Sequence, residues 1–255
     1  MKKKDQSIIA IILAGGFGSR MGKLTNNKHK TMLKIGNFPI LAHLYTQLRI
    51  SLIKEIILCT GYKNEEIKKY SKNKIKNDSD KILRLIKNNK HYDYPKVIIS
   101  KLPPTNSTSQ RIFKIKNKIK NYNFLFLYGD TLLKPNFSEL YEVFNKKKSG
   151  AVLTLSKPQP KFGKVKLKNN KVVEYYEKKQ ENELWVNSGW CLVRNKFLNL
   201  FKNTKYNFEE YLFNRIIKKN TLLAFKNRNF YLPIDTEIEL NIANNLWEKN
   251  KKLWF

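Results

Sequence analysis

Cysteine and histidine are scarce in this chain of 255 residues, which holds two of the first and three of the second. Neither type stands at the spacing of metal ligands, which argues against a Cys/His metal centre. Cys59 and Cys191 lie inside hydrophobic segments and are expected to be reduced, buried thiols of a cytoplasmic protein. His29, His43 and His91 are dispersed, and each is predicted to be a surface or core histidine rather than a catalyst.

Long apolar runs are also missing. No run reaches the roughly 18–20 residues that span a bilayer, and the opening Met-Lys-Lys-Lys-Asp leads into a strand-like stretch rather than a cleavable signal peptide. No membrane partner is therefore expected. The hydrophobic fraction of 41% and the aromatic fraction of 13% indicate a folded globule, and the length suits one sizeable domain.

Acidic residues are few, since 20 Asp and Glu face 51 Lys and Arg and give a formal net charge of +31. Such a balance can indicate a nucleic-acid or anionic membrane partner. Here the lysines are scattered with asparagine, as at 72–74 and 116–118, and do not form one stripe. This enrichment is typical of an A/T-rich coding sequence, and no nucleic-acid motif accompanies it. We therefore expect no nucleic-acid partner, although the charge would attract phosphorylated metabolites at low ionic strength.

Strand-like runs alternate with helical patterns along the first part of the chain. Strands are predicted at 8–13, 55–60, 97–100, 124–128 and 151–155, and apolar residues at three-to-four-residue spacing predict a helix over about 39–50. This rhythm predicts an α/β fold with a Rossmann-like, mixed but mainly parallel sheet flanked by helices. Short alternating runs after residue 162, with Asn169-Asn170 as a turn, predict a small β-hairpin. Residues 71–96 are polar and are predicted to be the least ordered region.

The first strand runs directly into Gly15, Gly16 and Gly18, and Arg20 follows. Backbone N–H groups can approach a phosphate closely where no side chain intervenes. Arg20 and Lys30 supply positive charge beside this glycine turn. Arg20 offers a planar guanidinium that can bind a phosphate through two N–H groups, and Lys30 offers a compact ammonium. The stretch predicts a binding site for a nucleoside triphosphate.

Two common nucleotide motifs are excluded by position. A P-loop fails because Phe17 occupies the place of its first glycine and Leu24 that of its Ser or Thr. The dinucleotide fingerprint fails because Met21 replaces its third glycine.

A third pattern does match. The segments Ala14-Gly15-Gly16-x-Gly18-Ser19-Arg20 and Lys30-x-Met32-Leu33-x-Ile35 resemble the signature of sugar-1-phosphate nucleotidylyltransferases, and most nearly the glucose-1-phosphate cytidylyltransferase group. The likeness continues in the same order through 59–63, 126–130, 233–236 and 246–254. It implies the nucleotide-diphospho-sugar transferase fold in a single domain over 1–255. Residues 8–155 would form its nucleotide-binding part, and 156–255 its sugar-binding and C-terminal part.

The resemblance also implies roles for individual residues. Arg20, Lys30 and Asp130 would be catalytic, and Asp130 and Asp235 would hold Mg²⁺. The implied nucleotide-binding residues are Leu13, Ala14, Gly15, Gly16, Gly18, Ser19, Arg20, Thr108 and Arg111. The implied sugar-phosphate-binding residues are Arg111, Tyr128, Lys178, Asn187, Gly189 and Glu209.

The residues themselves leave alternatives open. Asp130 ends a buried strand, where ligands of open α/β sheets bind, but it could also be a helix N-cap or turn residue. Asp235 could equally cap the following helix. Lys178 could be one of many surface lysines.

The chain departs from the family pattern in several places. His29 and Thr31 replace prolines on either side of Lys30, which predicts a looser loop with its charge retained. Ser109-Gln110 replace a Gly-Gly pair at the base-reading segment, and Lys179 replaces a proline after Lys178. The identities of the base and of the sugar therefore stay open.

The implied reaction joins NTP and sugar-1-phosphate into an NDP-sugar and pyrophosphate, as a precursor for cell-surface polysaccharide. CTP and glucose-1-phosphate are the first expectations, and UTP, dTTP or GTP and other phosphorylated acceptors are alternatives. A catalytically silent sugar-nucleotide-binding regulatory protein is another. The aromatic tail, with Trp247 and Trp254, predicts either packing onto the domain or a subunit contact, and a homo-oligomer is expected.

Overall fold

The computed structural model describes residues 8–146, 149–158, 164–177, 184–219 and 221–255. The strands in these ranges are β1 (Ile8–Ala14), β2 (Lys34–Ile35), β3 (Phe38–Pro39), β4 (Glu55–Thr60), β5 (Lys96–Lys101), β6 (Asn123–Tyr128), β7 (Thr131–Leu133), β8 (Ala151–Ser156), β9 (Lys164–Lys168), β10 (Lys171–Tyr176), β11 (Val186–Val193), β12 (Leu222–Lys226) and β13 (Tyr231–Pro233). The α-helices are α1 (Ile40–Ile50), α2 (Asn64–Asn73), α3 (Ile75–Leu85), α4 (Thr108–Ile119), α5 (Phe137–Asn145), α6 (Asn214–Ile217) and α7 (Glu237–Lys249). Short 3₁₀ turns cover Ser19–Thr25, Lys30–Met32 and Asn195–Leu200, and a π-helical turn covers Glu209–Phe213.

A seven-stranded mixed sheet forms the centre, in the order β12-β8-β11-β6-β1-β4-β5. β11 runs antiparallel to both of its neighbours, and the other neighbouring strands pair in parallel. The fold predicted from the sequence is therefore confirmed. The chain leaves β1 for β4 and β5 on one side and then returns to β6 on the other. In open α/β sheets such a switch point places the ligand crevice beyond the carboxyl ends of the two strands.

The central strands β1, β4 and β6 are buried on both faces, which explains their nearly continuous apolar sequences. Successive residues of β1 alternate between two apolar clusters, so Ile9 and Ile11 pack on one face while Ala10 and Ile12 pack on the other. Helices α1, α3, α5 and α7 contribute to the cluster of Ala10 and Ile12, whereas α4 contributes to the cluster of Ile9 and Ile11. This two-sided core fixes β1 and β6 in register.

The prediction of poor order over 71–96 was wrong. Helix α3 occupies Ile75–Leu85, and Ile75, Ile82 and Leu83 are buried against the core. The lysines that masked this pattern in the sequence lie on its solvent face, as a one-sided helix requires. Two short strands, β7 and β13, were also not predicted, and they pair with each other antiparallel.

The hairpin prediction is confirmed by β9 and β10, which form a separate two-stranded antiparallel sheet. Asn169 and Asn170 connect them with φ values of 46° and 59°. Two consecutive residues in the left-handed conformation form a type I′ turn, whose backbone twist matches the twist of the two flanking strands. Asparagine tolerates this conformation well.

The aromatic tail packs onto its own domain. Trp254 and Trp247 are 1% and 3% exposed, and their rings stack with centroids 5.3 Å apart. The Trp254 indole N–H donates to Nδ1 of His43 over 3.3 Å. Of the two alternatives for this tail, packing onto the domain is the one observed, and the expectation of an oligomer stays a prediction.

Both cysteines are buried and free of disulfides. Burial raises the pKa of the Cys59 thiol to about 12 and raises that of Cys191 as well, so neither forms a reactive thiolate at neutral pH. Within the described part of the chain, no helix has both the length and the apolar character needed to cross a membrane.

Candidate active site

The carboxyl ends of β1 and β6 lie side by side. Leu13 is in register with Tyr128, and the Gly129 N–H donates to the Leu13 carbonyl over 3.0 Å. A Cβ on Gly129 would come within 2.8 Å of the Thr31 methyl group, so the backbone passes here only because the residue is glycine. This places Asp130, the next residue, at the rim of the glycine turn.

A cavity of about 210 Å³ opens above this junction. Its lining comprises Leu13, Ala14, Gly15, Gly16, Gly18, Ser19, Arg20, His29, Lys30, Thr31, Gly129 and Asp130. The structure thus brings together all seven residues that the resemblance assigned to the glycine turn, together with Lys30 and Asp130. Gly18 has a φ of 69° and starts the 3₁₀ turn that carries Arg20.

Four charged side chains form a cluster at the cavity rim. The Lys30 ammonium lies 2.7 Å from Oδ2 of Asp130 and 2.7 Å from Oδ1 of Asp235. Arg20 contacts the other oxygen of Asp235 at 3.0 Å, with 71% of its side chain exposed. Lys30 itself is only 7% exposed, so its charge is held in place by the two carboxylates. The two aspartates that the sequence singled out, 105 positions apart, therefore converge on one point.

Local hydrogen bonding explains why Asp235 is available to this cluster. Thr236, not Asp235, is the N-cap of α7, and its hydroxyl accepts the Glu239 N–H while the Glu239 carboxylate accepts from the main chain of Thr236 and Asp235. The alternative in which Asp235 caps α7 is therefore excluded. The Ile234 N–H donates to the Asp130 carbonyl over 2.8 Å and joins the two carboxylate-bearing loops.

The donor set at this point fits Mg²⁺. Carboxylate oxygens of Asp130 and Asp235 both approach one cation, the Lys30 ammonium. Magnesium is commonly held by one or two carboxylates, with substrate phosphates and waters completing its shell. A metal bound by both carboxylates would take the place of the ammonium and leave Lys30 available to an anionic ligand.

Arg111 lies beneath the glycine turn. It is 4% exposed, and its guanidinium donates to the carbonyls of Thr60, Gly15 and Pro103 over 2.8, 3.2 and 2.9 Å. Burial lowers the pKa of Arg111, although the group stays charged in proteins. In this arrangement the side chain supports the nucleotide loop from below, and direct contact with a sugar stays a prediction.

Thr108 is the first residue of α4, and its hydroxyl accepts the Phe208 N–H over 2.9 Å. This bond joins α4 to the turn that bears Glu209. Glu209 is partly buried, and its Oε2 is buried without a hydrogen-bond partner. Burial raises the pKa of Glu209 to about 7, while its own amide and the Thr108 hydroxyl oppose the rise.

Gly189, in β11, lies next to Tyr128, the last residue of β6. Gly189 has a φ of 82°, and a Cβ there would approach the Tyr128 ring to 3.0 Å. The Asn187 side chain is exposed, and its Oδ1 accepts the Gly189 N–H over 2.9 Å. These residues lie at the same end of the sheet as Asp130 but do not line the 210 Å³ cavity. Lys178, the remaining predicted sugar-phosphate residue, lies outside the described residues.

The loop before Lys30 is tied down by hydrogen bonds where the family pattern has proline. The His29 N–H donates to the Glu66 carboxylate over 2.8 Å, and the His29 ring accepts the Thr31 N–H over 3.1 Å. The sequence predicted a looser loop, whereas here side-chain bonds supply the constraint. His29 is among the residues that line the cavity, which was not predicted from the sequence because tertiary packing sets its distance from the glycine turn.

The chain resembles known proteins over almost its whole length. The family model described as nucleotidyl transferase matches residues 9–230. The chain is 28% identical over 251 residues to the glucose-1-phosphate cytidylyltransferase of Salmonella typhimurium, which covers 96% of this chain and 98% of that protein. It is 25% identical over 229 residues to the D-glycero-α-D-manno-heptose 1-phosphate guanylyltransferase of Aneurinibacillus thermoaerophilus, covering 88% and 92% of the two chains.

A solved structure agrees with the fold. HddC from Yersinia pseudotuberculosis, in its complex with GMP-PN, matches with a TM-score of 0.69 at 20% identity, over 94% of this chain and 99% of that one. The family match contains the glycine turn, Lys30 and Asp130. The motif resemblance and the fold are thus confirmed, and the chain belongs to the nucleotidyl transferase family, as a sugar-1-phosphate nucleotidylyltransferase.

Proposed function

We propose that the protein joins CTP to glucose-1-phosphate, or to a related hexose-1-phosphate, and releases an NDP-sugar and pyrophosphate. The observation that carries this proposal is the convergence of Asp130, Asp235 and Lys30 at the rim of a glycine-floored cavity. Residues 8–155 would bind the nucleotide, and 156–255 would supply most of the sugar contacts. Such a product is a precursor for cell-surface polysaccharide.

The chemistry requires two anions to meet. An oxygen of the sugar phosphate attacks the α-phosphorus, the bond from that phosphorus to the bridging oxygen of the β-phosphate breaks, and pyrophosphate leaves with the bonding electrons. The attacking oxygen is already ionised, so no side-chain nucleophile is needed. Positioning and charge neutralisation should supply most of the rate enhancement.

The residues at the rim provide that neutralisation. Mg²⁺, for which Asp130 and Asp235 are the fitting ligands, would supply Lewis-acid stabilisation of phosphate oxygens. Lys30 and Arg20 would bind the triphosphate as cations, while the open face at Gly16, where a Cβ would meet nothing within 4 Å, lets phosphate approach the backbone. Arg111 holds the loop from below through its carbonyl contacts.

The choice of CTP and glucose is supported by likeness to the Salmonella typhimurium cytidylyltransferase at 28% identity. The guanylyltransferase relative at 25% identity acts with another base and another sugar by its name. Ser109 and Gln110 stand where the cytidylyltransferase pattern has two glycines, and Ser109 is 1% exposed. Specificity must therefore be measured.

The test is a matrix of CTP, UTP, dTTP and GTP against a panel of hexose 1-phosphates with Mg²⁺, read out as pyrophosphate release. We expect CTP with glucose-1-phosphate to give the highest kcat/KM. Asp130→Asn should lower turnover by at least about 100-fold, because a hard anionic ligand is lost. Asp93→Asn, at an exposed loop position, is the matched control.

Each outcome has a separate meaning. If no pair of nucleotide and sugar phosphate releases pyrophosphate, the catalytic proposal is overturned. Binding of CTP without turnover would instead indicate the regulatory sugar-nucleotide-binding protein. A different best pair would overturn only the choice of CTP and glucose. Near-normal turnover of Asp130→Asn would refute the metal assignment.

A further inference from the structure

Glu66 reaches from helix α2 to the loop that carries Lys30. It is the third residue of α2, and its Oε2 accepts the main-chain N–H of His29 over 2.8 Å, although the two residues stand 37 positions apart. His29 directly precedes Lys30, whose ammonium lies between Asp130 and Asp235. The carboxylate therefore acts one residue away from the charge that we propose to bind the triphosphate.

The helix that bears Glu66 is firmly attached to the core. Ile67 and Tyr70 of α2 are 0% and 7% exposed. Where the helix begins, the Thr60 hydroxyl at the end of β4 donates to the side-chain oxygen of Asn64. Glu66 itself is half-buried. Its carboxylate thus offers the loop an acceptor from a fixed support.

The bond from Glu66 replaces the constraint that proline gives in the family pattern. His29 has a φ of −70°, which is within the range to which a proline ring fixes this angle. A histidine there has an N–H that proline lacks, and because the residue is only 2% exposed, that donor needs an acceptor. Glu66 provides it. The other position at which proline is replaced is satisfied in the same way, since Nδ1 of His29 accepts the Thr31 N–H over 3.1 Å.

The Glu66 carboxylate is committed to this bond even though cations lie near it. Glu66 borders a surface cavity together with four lysines. Among the residues that the structure describes, no lysine or arginine forms an ion pair with the carboxylate within 4.0 Å. A main-chain N–H is bound more strongly by a carboxylate than by a neutral oxygen. The bond to His29 is therefore a strong attachment of the loop to α2.

We infer that Glu66 is a positioning residue of the triphosphate site: by holding the N–H of His29, its carboxylate fixes the backbone at Lys30 and keeps the ammonium aimed at the phosphates. This inference rests on the proposed function, in which Lys30 binds the triphosphate. Without the bond, the chain before Lys30 is free to rotate about the φ of His29. An acceptor on α2 thus supplies the order that a proline ring supplies in the family pattern.

Three substitutions on α2 isolate this bond. Glu66→Ala removes the acceptor, whereas Glu66→Gln keeps a side-chain carbonyl oxygen on a side chain of the same length. Glu65→Ala is the matched control, because it removes the same charge from the same turn of the helix. The Glu65 carboxylate bonds within α2, to the Asn64 amide over 2.9 Å and to the Lys68 ammonium over 3.9 Å.

Affinity is measured by titration calorimetry with CTP and with inorganic tripolyphosphate, each with Mg²⁺. We expect Glu66→Ala to weaken binding of both ligands about fivefold, because the Lys30 ammonium is no longer held in position before the ligand arrives. Glu66→Gln should recover most of that loss, and Glu65→Ala should stay within about twofold of wild type. Affinity of Glu66→Ala within about twofold of wild type for both ligands would overturn the inference.

A proline background separates positioning from a general effect of the charge or of helix stability. His29→Pro sets φ with its ring and has no N–H, so Glu66 has no donor left to hold. In this background we expect Glu66→Ala to change the affinity for either ligand by less than about twofold. A loss of about fivefold in both backgrounds would show that Glu66 does not act through His29, and it would contradict the proposal.

A third measurement needs neither a ligand nor the proline variant. Hydrogen exchange followed by NMR reports the His29 amide directly. We expect Glu66→Ala to speed the exchange of this amide at least about tenfold, while Glu65→Ala leaves it unchanged. Equal exchange rates in Glu66→Ala and wild type would refute the attachment of the loop by Glu66.

The outcomes also separate this role from the proposed reaction. If the wild-type protein binds neither CTP nor tripolyphosphate, both proposals fail. If the affinity pattern holds while no substrate pair releases pyrophosphate, the proposed reaction fails and the positioning role of Glu66 stands. If pyrophosphate is released and Glu66→Ala binds both ligands like wild type, the positioning role alone fails.

Discussion

At the scale of single residues, two adjacent glycines have opposite constraints. A Cβ on Gly15 would lie 2.1 Å from the Arg111 guanidinium carbon, whereas a Cβ on Gly16 would meet nothing within 4 Å. The guanidinium cannot easily move aside, because Arg111 is buried and bonded to several carbonyls. Gly15 is therefore required for packing beneath the loop, and Gly16 for access above it.

Gly15→Ala should destabilise the fold and Gly16→Ala should not. Displacing the guanidinium breaks buried hydrogen bonds, so we expect a loss of about 2 kcal/mol in the free energy of unfolding for Gly15→Ala. Gly16→Ala should stay within about 0.5 kcal/mol of wild type but weaken CTP binding, because its methyl group enters the cavity. Urea unfolding and calorimetry measure the two effects, and equal stability losses would contradict this division.

At the scale of elements, the aromatic tail closes one face of the sheet. The Trp254 ring stacks on Trp247 of α7. The main-chain carbonyl of Trp254 accepts a hydrogen bond from the Gln47 side-chain amide of α1 over 2.5 Å. His43, also on α1, accepts the Trp254 indole N–H. The last residues thus hold α1 and α7 together, and α7 in turn begins two residues after Asp235.

Trp254→Ala should remove this lock. We expect it to cost about 3–5 kcal/mol, as is usual for truncating a buried aromatic side chain. The loss would be seen as a lower urea midpoint. Ile238→Ala is the control, since Ile238 lies on α7, the helix against which Trp254 packs, and is 72% exposed. A similar small effect of both substitutions would show that the tail contributes little to stability.

At the scale of the whole molecule, positive charge is the dominant feature, and one partly buried carboxyl, Glu209, gives stability a specific pH dependence. The +31 net charge is spread along the chain, whereas Glu209 is a partly buried carboxyl with one unpartnered oxygen. Burial raises its pKa from 4.5 to about 7. The folded state then keeps a proton that the unfolded state has already released, so stability falls as pH rises from about 4.5 to about 7.

Glu209→Gln should abolish that fall. Allowing for partial exposure, we expect the variant to exceed wild type in stability by about 1–2 kcal/mol at pH 8 and to match it more closely near pH 5. Unfolding curves across this range provide the measurement. Glu248→Gln, at an exposed position of α7, should follow the wild-type curve. Parallel pH profiles of Glu209→Gln and wild type would show that Glu209 is ionised in the fold.

The sequence by itself determined the local features: the apolar strands, the glycine turn after β1, the Asn169-Asn170 hairpin and the α/β class. These follow from backbone preferences and side-chain periodicity within a few residues. The same reasoning did not predict α3, because its abundant lysines make the segment polar on average. Only the packing of Ile75 and Ile82 into the core shows that the helix has one buried apolar face.

Only the tertiary structure decided what meets at the site. Asp130 and Asp235 converge on Lys30, Arg111 lies under Gly15, and His29 borders the cavity. None of these contacts is local: they depend on strand order, register and the capping of α7 by Thr236, which a single sequence does not encode at short range. The local sequence determines which residue types are present in the site, whereas long-range packing determines the distances between them.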